Sequence, residues 1–381
     1  MTGLTEKLND AIVNPWTSSE FDLIDTLEQV LNGVGLTVSD TGGNVSYFGA
    51  DPVVNSPLRI GSVATIGLLA KSIAAAAMYR WRGGVGQDIS VDLRQTPHRL
   101  SPFYDFRWER LGRYPVMSSL EVGNALGASF YRTADDRWIL PQAMYPNLRL
   151  ASQKLLGVPL TTEPVVNAIA KWPAAELELA AAQAGAAFPM VRSLSEMMNE
   201  RQYVDVLSDM PLIEITKIGE SVREPLPPLE NSPFSRFRAL GMGHVIAGAG
   251  LGRSLALHGA DVLNVWRPGE GENETIYATA NVGLRSTWLD PRKDKNVILD
   301  LLQGADIFFH NRRQSFMREI ELTPEHVSSE RPGIVYVSLT LHGDRGPWAD
   351  RVGFDQTAGS VAGIMALEGS LQKPQLPPIV V

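Results

Sequence analysis

The chain has 381 residues, a formal net charge of −8 and a pI of about 5.4, which disfavours general binding to nucleic acid or to an anionic membrane surface. It contains no cysteine, which excludes disulfides, thiolate nucleophiles and cysteine-based zinc sites. A hydrophobic fraction of 44% and a charged fraction of 20% are typical of a globular protein, here long enough for two domains.

Residues 1–55 predict a helical N-terminal segment to which the sequence assigns no function. In "SEFDLIDTLEQVLNGVG", acidic residues follow Ser19, apolar residues recur at spacings of three and four, and Gly33 ends the helix. The first residues lack a basic region followed by an apolar run, so we expect no signal peptide.

Residues 56–115 predict one long helix, a glycine-rich turn and a strand. The stretch "LRIGSVATIGLLAKSIAAAAMYRWRGGVGQDISVDL" is strongly apolar, but Lys71 interrupts it and Arg80 ends it. The apolar run is shorter than the roughly 20 residues that a bilayer span requires. We therefore expect a buried helix rather than a membrane segment, and the alternation in "DISVDL" predicts the strand.

Residues 116–222 predict a smaller α+β domain, with a hairpin that turns at Asp135 and Asp136 and a helix from Pro173 to Gly185. A proline-rich linker follows at 223–234. In residues 235–381 apolar strands alternate with helices, which predicts an α/β fold with a Rossmann-like, doubly wound parallel sheet. Thr323 and Pro324 predict one of its helix starts.

In a doubly wound sheet, ligands bind beyond the carboxyl ends of the strands. The first such loop, "HVIAGAGLGR", has Arg253 where a dinucleotide fingerprint requires its third glycine. Two interpretations stay open for this loop: a phosphate-binding turn, or glycines that allow a helix to pack closely on a strand.

Several strand ends carry cationic or amide groups. Arg267 follows the second strand, where an NAD enzyme would carry an acidic residue, and its guanidinium suits the ribose phosphate of NADP or coenzyme A. Arg285 precedes or joins another strand, and Asn311, Arg312 and Arg313 follow a further one. Each arginine taken singly is compatible with a solvated surface residue, but their convergence in an acidic protein favours an anionic cofactor.

The six histidines lack ligand-like spacing and no G-x-S-x-G motif is present, so we predict no metal site and no hydrolase triad.

Five segments resemble the class III CoA-transferases (CaiB/BaiF), the family of carnitine and formyl-CoA transferases that includes α-methylacyl-CoA racemase. They are "HVIAGAGLGRSLALHGADVLNVWRP", "NVGLRSTWLD", "ADIFFHNRR", "RPGIVYVSLTLHGDRGPWADRVGFDQTAG" and "AAAAMYRWRGGVGQDISVDL". The resemblance implies a Rossmann-type large domain, a smaller α+β domain, an interlocked homodimer and CoA as ligand. The absence of cysteine and of a signal-peptide pattern predicts a cytoplasmic location. By position the resemblance places six residues along the CoA or around its phosphates and adenine: Val245, Ile246, Arg267, Arg285, Asn311 and Arg312.

The family's aspartate nucleophile attacks an acyl-CoA thioester and forms an enzyme-bound acyl intermediate. Counting back from Arg80, this position is Ser62, and no base for a serine nucleophile is evident nearby in the sequence. Asp355 is a weaker catalytic candidate. The motif order is also permuted, because 56–230 resembles the later part of the family chain; this indicates a permuted chain or one part of a tandem arrangement.

These observations predict a CoA-transferase that moves CoA from an acyl-CoA to a small carboxylic acid, with no metal, nucleic-acid or membrane partner. Two alternatives stay open. Ser62 favours a catalytically silent CoA-binding homologue, and the glycine-rich loop with Arg267 would also suit an NADP-dependent oxidoreductase.

Overall fold

The computed structural model describes residues 3–14, 21–100, 110–111, 113–115, 125–127, 129–269 and 274–378. Its first hundred residues form a small α/β unit of four helices and two strands: α1 (Leu4–Val13), α2 (Leu23–Asn32), β1 (Gly42–Phe48), α3 (Ile60–Trp81), β2 (Gln87–Asp92) and α4 (Pro97–Leu100), with short 3-10 turns at Val38–Thr41 and Leu93–Gln95.

Strand β1 was not predicted, because residues 1–55 were expected to be helical. It pairs in parallel with β2, and α3 connects the two strands. One face of this unit packs on the apolar stripe of α2, where Leu23, Leu27 and Leu31 are almost fully buried. Helix α2 ends at Gly33 as predicted, while Ser19 lies outside the described residues.

Helix α3 is longer than the predicted apolar run, because it continues through Lys71 to Trp81. Among the described residues it is the one helix with the length and composition to cross a membrane, and 56% of its apolar window is buried inside the protein. The length and composition of a membrane-spanning helix are also found in helices of a hydrophobic core, where neighbouring parts of the protein cover the apolar faces.

The described residues in the middle of the chain form four short strands and four helices: β3 (Arg110–Leu111), β4 (Tyr114–Pro115), β5 (Tyr131–Arg132), β6 (Trp138–Ile139), α5 (Pro146–Leu156), α6 (Thr162–Ile169), α7 (Ala174–Ala184) and α8 (Leu194–Met198), then a π-helical turn at Tyr203–Leu207. Strands β5 and β6 form the predicted antiparallel hairpin. Helix α7 begins after Pro173 and ends at Gly185, which adopts a φ of 72° as a C-terminal glycine commonly does.

The last part contains five strands and seven helices: β7 (Arg238–Met242), α9 (Ala247–Leu257), β8 (Asp261–Trp266), α10 (Glu274–Ala280), β9 (Arg285–Trp288), α11 (Lys295–Gln303), β10 (Ile307–His310), α12 (Gln314–Glu319), α13 (Pro324–Glu330), β11 (Val335–Ser338), α14 (Asp355–Val361) and α15 (Ile364–Glu368). The strands form one parallel sheet in the order β11-β10-β7-β8-β9. Thr323 caps α13 as predicted, since its side chain accepts a hydrogen bond from the amide of His326.

Alternate residues of each central strand enter two separate cores. Leu240 and Phe308 pack with α11, α12 and α13 on one face of the sheet, while Ala239 and Phe309 pack with α9 on the other. Both faces are therefore covered by helices, which is the predicted Rossmann-like, doubly wound α/β arrangement beside a smaller α+β part. The exact domain boundaries remain a prediction.

Candidate ligand-binding site

The order of the parallel strands fixes where a ligand crevice lies. From β7 the chain proceeds through β8 and β9 on one side and then returns to β10 on the other. The connections that leave β7 and β10 therefore run in opposite directions over the sheet. Such a switch point opens a crevice at the carboxyl ends of the two strands.

Two asparagine side chains hold the loop after β7 in place. Asn311, directly after β10, donates to the carbonyl of His244 at 2.8 Å and accepts from its amide at 3.1 Å. Asn264 on β8 makes the same pair of contacts with Gly243, at 2.9 and 3.0 Å. Asn311 thus lies at the predicted site and positions the backbone there.

The glycines of this loop have different roles. A Cβ on Gly243 would overlap the carbonyl of Gly248, and a Cβ on Gly248 would lie 2.5 Å from the side-chain oxygen of Asn311. Gly252 packs against Phe309. Gly250 has open space around it and lines a cleft. Close packing therefore accounts for three of the glycines, while Gly250 borders open space.

Val245 has a φ of 56°, a conformation that a β-branched residue rarely adopts. Strained residues of this kind are concentrated at functional sites, where the surrounding structure holds them. Ile246 follows Val245 and caps the N-terminus of α9. Both residues line the same cleft as Gly250, and their contact with CoA stays a prediction of the resemblance.

The cleft has a volume of about 310 Å³ and lies between two parts of the chain that are far apart in sequence. Helices α3 and α4 supply one wall, and α9, α10 and the loop before α9 supply the other. The lining residues are Leu68, Lys71, Arg99, Leu100, Val245, Ile246, Ala247, Ala249, Gly250, Arg253, Ser254, Ile276 and Thr279.

Three cationic side chains meet at this cleft: Lys71 from α3, Arg99 from α4 and Arg253 from α9. Burial lowers the pKa of Lys71, and the charges of the two arginines lower it further. Arg253 also donates to the carbonyl of Thr279 at 3.3 Å. The sequence identified Arg253 only as a departure from a glycine pattern and did not identify Lys71 or Arg99 as site residues.

The predicted phosphate-binding arginines have other contacts. Arg285 donates to both carboxylate oxygens of Asp261, at 2.5 and 2.7 Å. Arg312 is buried, and its Nε donates to the carbonyl of Met242 at 3.0 Å. The guanidinium of Arg267 lies 4.9 Å from the ring centre of Phe316. None of these three lines the cleft, although all follow or begin strands of the same sheet.

Ser62 lies in the first turn of α3 and is 4% exposed. Its hydroxyl donates to Oδ2 of Asp51 at 2.6 Å, and its amide donates to the same oxygen at 2.7 Å. The amide of Gly61 donates to Oδ1 of Asp51 at 3.0 Å. No sequence pattern indicated a carboxylate next to Ser62, because Asp51 belongs to the loop before the helix.

Asp355 begins α14, and burial raises its pKa to about 6. Its Oδ2 is buried without a hydrogen-bond partner among the described residues. The neighbouring Gln356 bonds to Gln142 from the loop after β6. Asp355 is therefore held in a largely desolvated position whose neutral form is favoured up to near-neutral pH.

Among the described residues, no group of three or more His, Asp or Glu side chains has the geometry to hold a metal ion.

The switch-point crevice, the strained loop and the cationic cleft are features of a Rossmann-like cofactor-binding domain. Residues 235–381 match the model of CoA-transferase family III. The match does not include residues 56–230, so their resemblance to the later part of the family chain remains a prediction.

Curated relatives carry CoA-transferase names. The human succinyl-CoA:glutarate CoA-transferase is 29% identical over 152 residues, which cover 36% of this chain and 34% of that protein. The succinate–glutarate CoA-transferase of Agrobacterium fabrum is 28% identical over 162 residues, covering 37% and 40%. This chain thus spans between a third and two fifths of the length of these relatives.

Among solved structures, a CaiB/BaiF family protein from Brucella suis is 26% identical, with a TM-score of 0.35 and coverage of 40% of this chain and 45% of that one.

Proposed function

We propose that this protein binds CoA or an acyl-CoA in the cleft beside α9 and takes part in exchange of CoA between carboxylic acids. The observation that carries the proposal is the strained Val245–Ile246 loop, which lines a cleft with three cations at the switch point of a family III sheet. The relatives' names support carboxylic acids as the acceptor class.

For the transfer step, the proposal assigns the acyl-carrying role to Asp51, which brings a carboxylate to the position where the resemblance expects an aspartate. Attack of an Asp51 carboxylate oxygen on the thioester carbonyl would form a mixed anhydride and release the CoA thiolate. The thiolate would attack the Asp51 carbonyl of this anhydride, giving an aspartyl-CoA thioester and freeing the donor acid as its carboxylate. The acceptor carboxylate would then attack the aspartyl thioester and release the thiolate again, and the thiolate would attack the acceptor's carbonyl, giving the new acyl-CoA and the free Asp51 carboxylate. Ser62 and the first amides of α3 would stabilise the Asp51 carboxylate whenever CoA transfer regenerates it.

Asp355 is proposed to act only as a buried acid whose protonation changes near pH 6. The homodimer that the resemblance implies and the cytoplasmic location predicted from the composition also belong to the proposal.

The test is titration calorimetry with CoA, followed by incubation with succinyl-CoA and other acyl-CoAs and intact-mass analysis. We expect CoA binding and a hydroxylamine-sensitive mass gain that peptide mapping assigns to Asp51 and that Asp51→Asn abolishes. Absence of CoA binding at millimolar concentration would refute the proposal. NADP in the same titration tests the oxidoreductase alternative, which the family match does not support.

A catalytically silent CoA-binding homologue is the second candidate. The burial of Ser62 and the three hydrogen bonds that Asp51 accepts favour it, because a carboxylate that caps a helix is a weakened nucleophile. This candidate predicts CoA binding without any acyl-enzyme, so the mass analysis separates the two.

A further inference from the structure

We propose that Lys71, Arg99 and Arg253 form the binding site for the diphosphate of CoA. This inference rests on the proposed CoA-binding function and specifies which residues would carry the phosphate contacts. It differs from the resemblance, which placed Arg285 and Arg312 beside the diphosphate.

The geometry of the cleft supports an anionic ligand. The three cations come from three separate helices and border one cavity of about 310 Å³ in a chain with a net charge of −8. Collecting like charges around a partly buried space costs free energy, which an anion would recover. The lowered pKa of Lys71 reflects this mutual repulsion as well as burial.

The first residue of α9 adds to the positive field. Ala247 begins this helix of 11 residues and lines the cleft, so the positive end of the helix dipole faces the same space. Arg253 lies less than two turns further along the same helix. The cationic side chains and the positive end of α9 therefore attract an anion to the same region of the cleft.

The position of Lys71 along α3 favours a phosphate over the carboxylate of a small acid. Lys71 lies nine residues after Ser62, which corresponds to about 13 Å of helix. A succinyl or glutaryl thioester whose reacting carbonyl lies beside Asp51 and Ser62 is too short to span this distance, given carbon–carbon bonds of about 1.5 Å. The pantetheine arm of CoA is long enough to separate its thiol from its diphosphate in this way.

The lining of the cleft also suits this part of CoA. Leu68, Ile246 and Ile276 provide apolar contacts beside the cations, and pantetheine adjoining the diphosphate presents apolar as well as anionic groups. Arg285 and Arg312 instead bond to Asp261 and to the carbonyl of Met242.

The test measures binding of CoA, dephospho-CoA, pantetheine, succinate and inorganic pyrophosphate to the wild type and to Lys71→Gln and Arg253→Gln. Lys154→Gln and Arg201→Gln are matched controls, because both side chains are exposed and lie outside the cleft. Circular dichroism and thermal unfolding establish that each variant is folded, and Lys71→Arg tests whether charge alone restores binding.

We expect each cleft variant to lower the affinity for CoA, dephospho-CoA and pyrophosphate by about tenfold or more, which is the loss typical of one charge-assisted hydrogen bond. Pantetheine affinity and both control variants should be unchanged. Equal affinities in folded cleft variants and wild type would overturn the inference while CoA binding by the wild type would still support the proposed function.

The other outcomes are also distinct. Weakened CoA with unchanged dephospho-CoA would assign the cluster to the 3′-phosphate and overturn the diphosphate assignment. If only succinate binding is weakened, the three cations bind the acid acceptor, and the diphosphate assignment is overturned as well. Pyrophosphate binding without CoA binding would preserve an anion site and refute the CoA function on which the assignment depends.

Discussion

The carboxylate of Asp51 accepts a hydrogen bond of 2.6 Å from the hydroxyl of Ser62 and further bonds from the amides of Ser62 and Gly61. These contacts satisfy backbone donors at the start of α3, which a helix leaves without partners of its own. A side chain eleven residues upstream thus caps the helix through tertiary structure, and it brings a carboxylate into contact with Ser62.

Replacement of Asp51 should therefore destabilise the fold. In Asp51→Asn the side-chain NH2 group replaces one carboxylate oxygen and cannot accept a hydrogen bond, so at least one N–H donor loses its partner. We expect the free energy of unfolding to fall by about 1–2 kcal/mol, measured by urea denaturation. Asp205→Asn changes an exposed carboxylate that pairs with Arg201 and should alter stability by less than about 0.5 kcal/mol. Equal stability of the two variants would show that the Asp51 cap is energetically unimportant.

A buried ionic cluster joins α7 to the segment before α14. Arg192 bonds to Glu178 at 2.6 and 2.8 Å and to Glu200 at 2.6 Å, and Arg351 lies 3.5 Å from Glu178. Burial alone would raise the pKa of Glu178, but the hydrogen bonds and charge of Arg192 outweigh this effect and lower it. The guanidinium carbons of Arg192 and Arg351 lie 5.4 and 4.4 Å from the ring centre of Trp348.

Arg192→Met should cost about 3–5 kcal/mol, because it removes the main partner of a buried carboxylate. Adding Glu178→Gln to this variant should recover part of the loss, since the uncompensated charge is then removed. Arg201→Met, which alters an arginine that is 86% exposed, serves as the control. If the double variant is no more stable than Arg192→Met, the loss is one of packing rather than of charge compensation.

Stability should fall with rising pH through the titration of Asp355. Its folded pKa of about 6 lies above the ordinary value of 3.8, so the folded state holds the proton more tightly than the unfolded state does. The resulting penalty is absent below about pH 4, grows between pH 4 and 6, and is complete above pH 6.

Asp355→Asn removes this penalty and should stabilise the protein by up to about 3 kcal/mol at pH 7.5, with little change at pH 3.5. Urea unfolding of both proteins across this pH range measures the difference. A constant difference at all pH values would contradict the raised pKa and would indicate a packing effect of the amide.

Two glycines of the loop and helix after β7 should respond oppositely to alanine. Gly243→Ala should destabilise the protein by more than about 2 kcal/mol, because its Cβ would overlap the backbone of Gly248, which has no rotamer with which to move away. Gly250→Ala has open space and lies inside α9, so we expect a gain of about 0.5–1 kcal/mol.

Thermal and urea unfolding of the two variants test this contrast. Because Gly250 lines the cleft, CoA titration of the stabilised variant also shows whether a methyl group at that position hinders the ligand. If Gly250→Ala destabilises the protein, the space beside Gly250 is filled in solution or is narrower there than in the structure.

Local patterns predicted the elements whose signals lie within a few residues. Pro173 and Gly185 mark both ends of α7, and Thr323 caps α13, because these residues act on the adjacent backbone. Strand β1 was missed because "GGNVSYF" begins with residues of low β propensity. Its pairing with β2, which lies about forty residues further along the chain, stabilises it as a strand.

By itself the sequence determined the alternation of strands and helices in 235–381, and with it the expectation of a ligand crevice at the carboxyl ends of the strands, because the periodicity of each element is carried by neighbouring residues. Only the tertiary structure decided which charged groups meet there. It joined Lys71 and Arg99 to Arg253, bonded Arg285 to Asp261, and placed Asp51 against Ser62. Contacts between distant segments depend on packing, which no local pattern in the chain records.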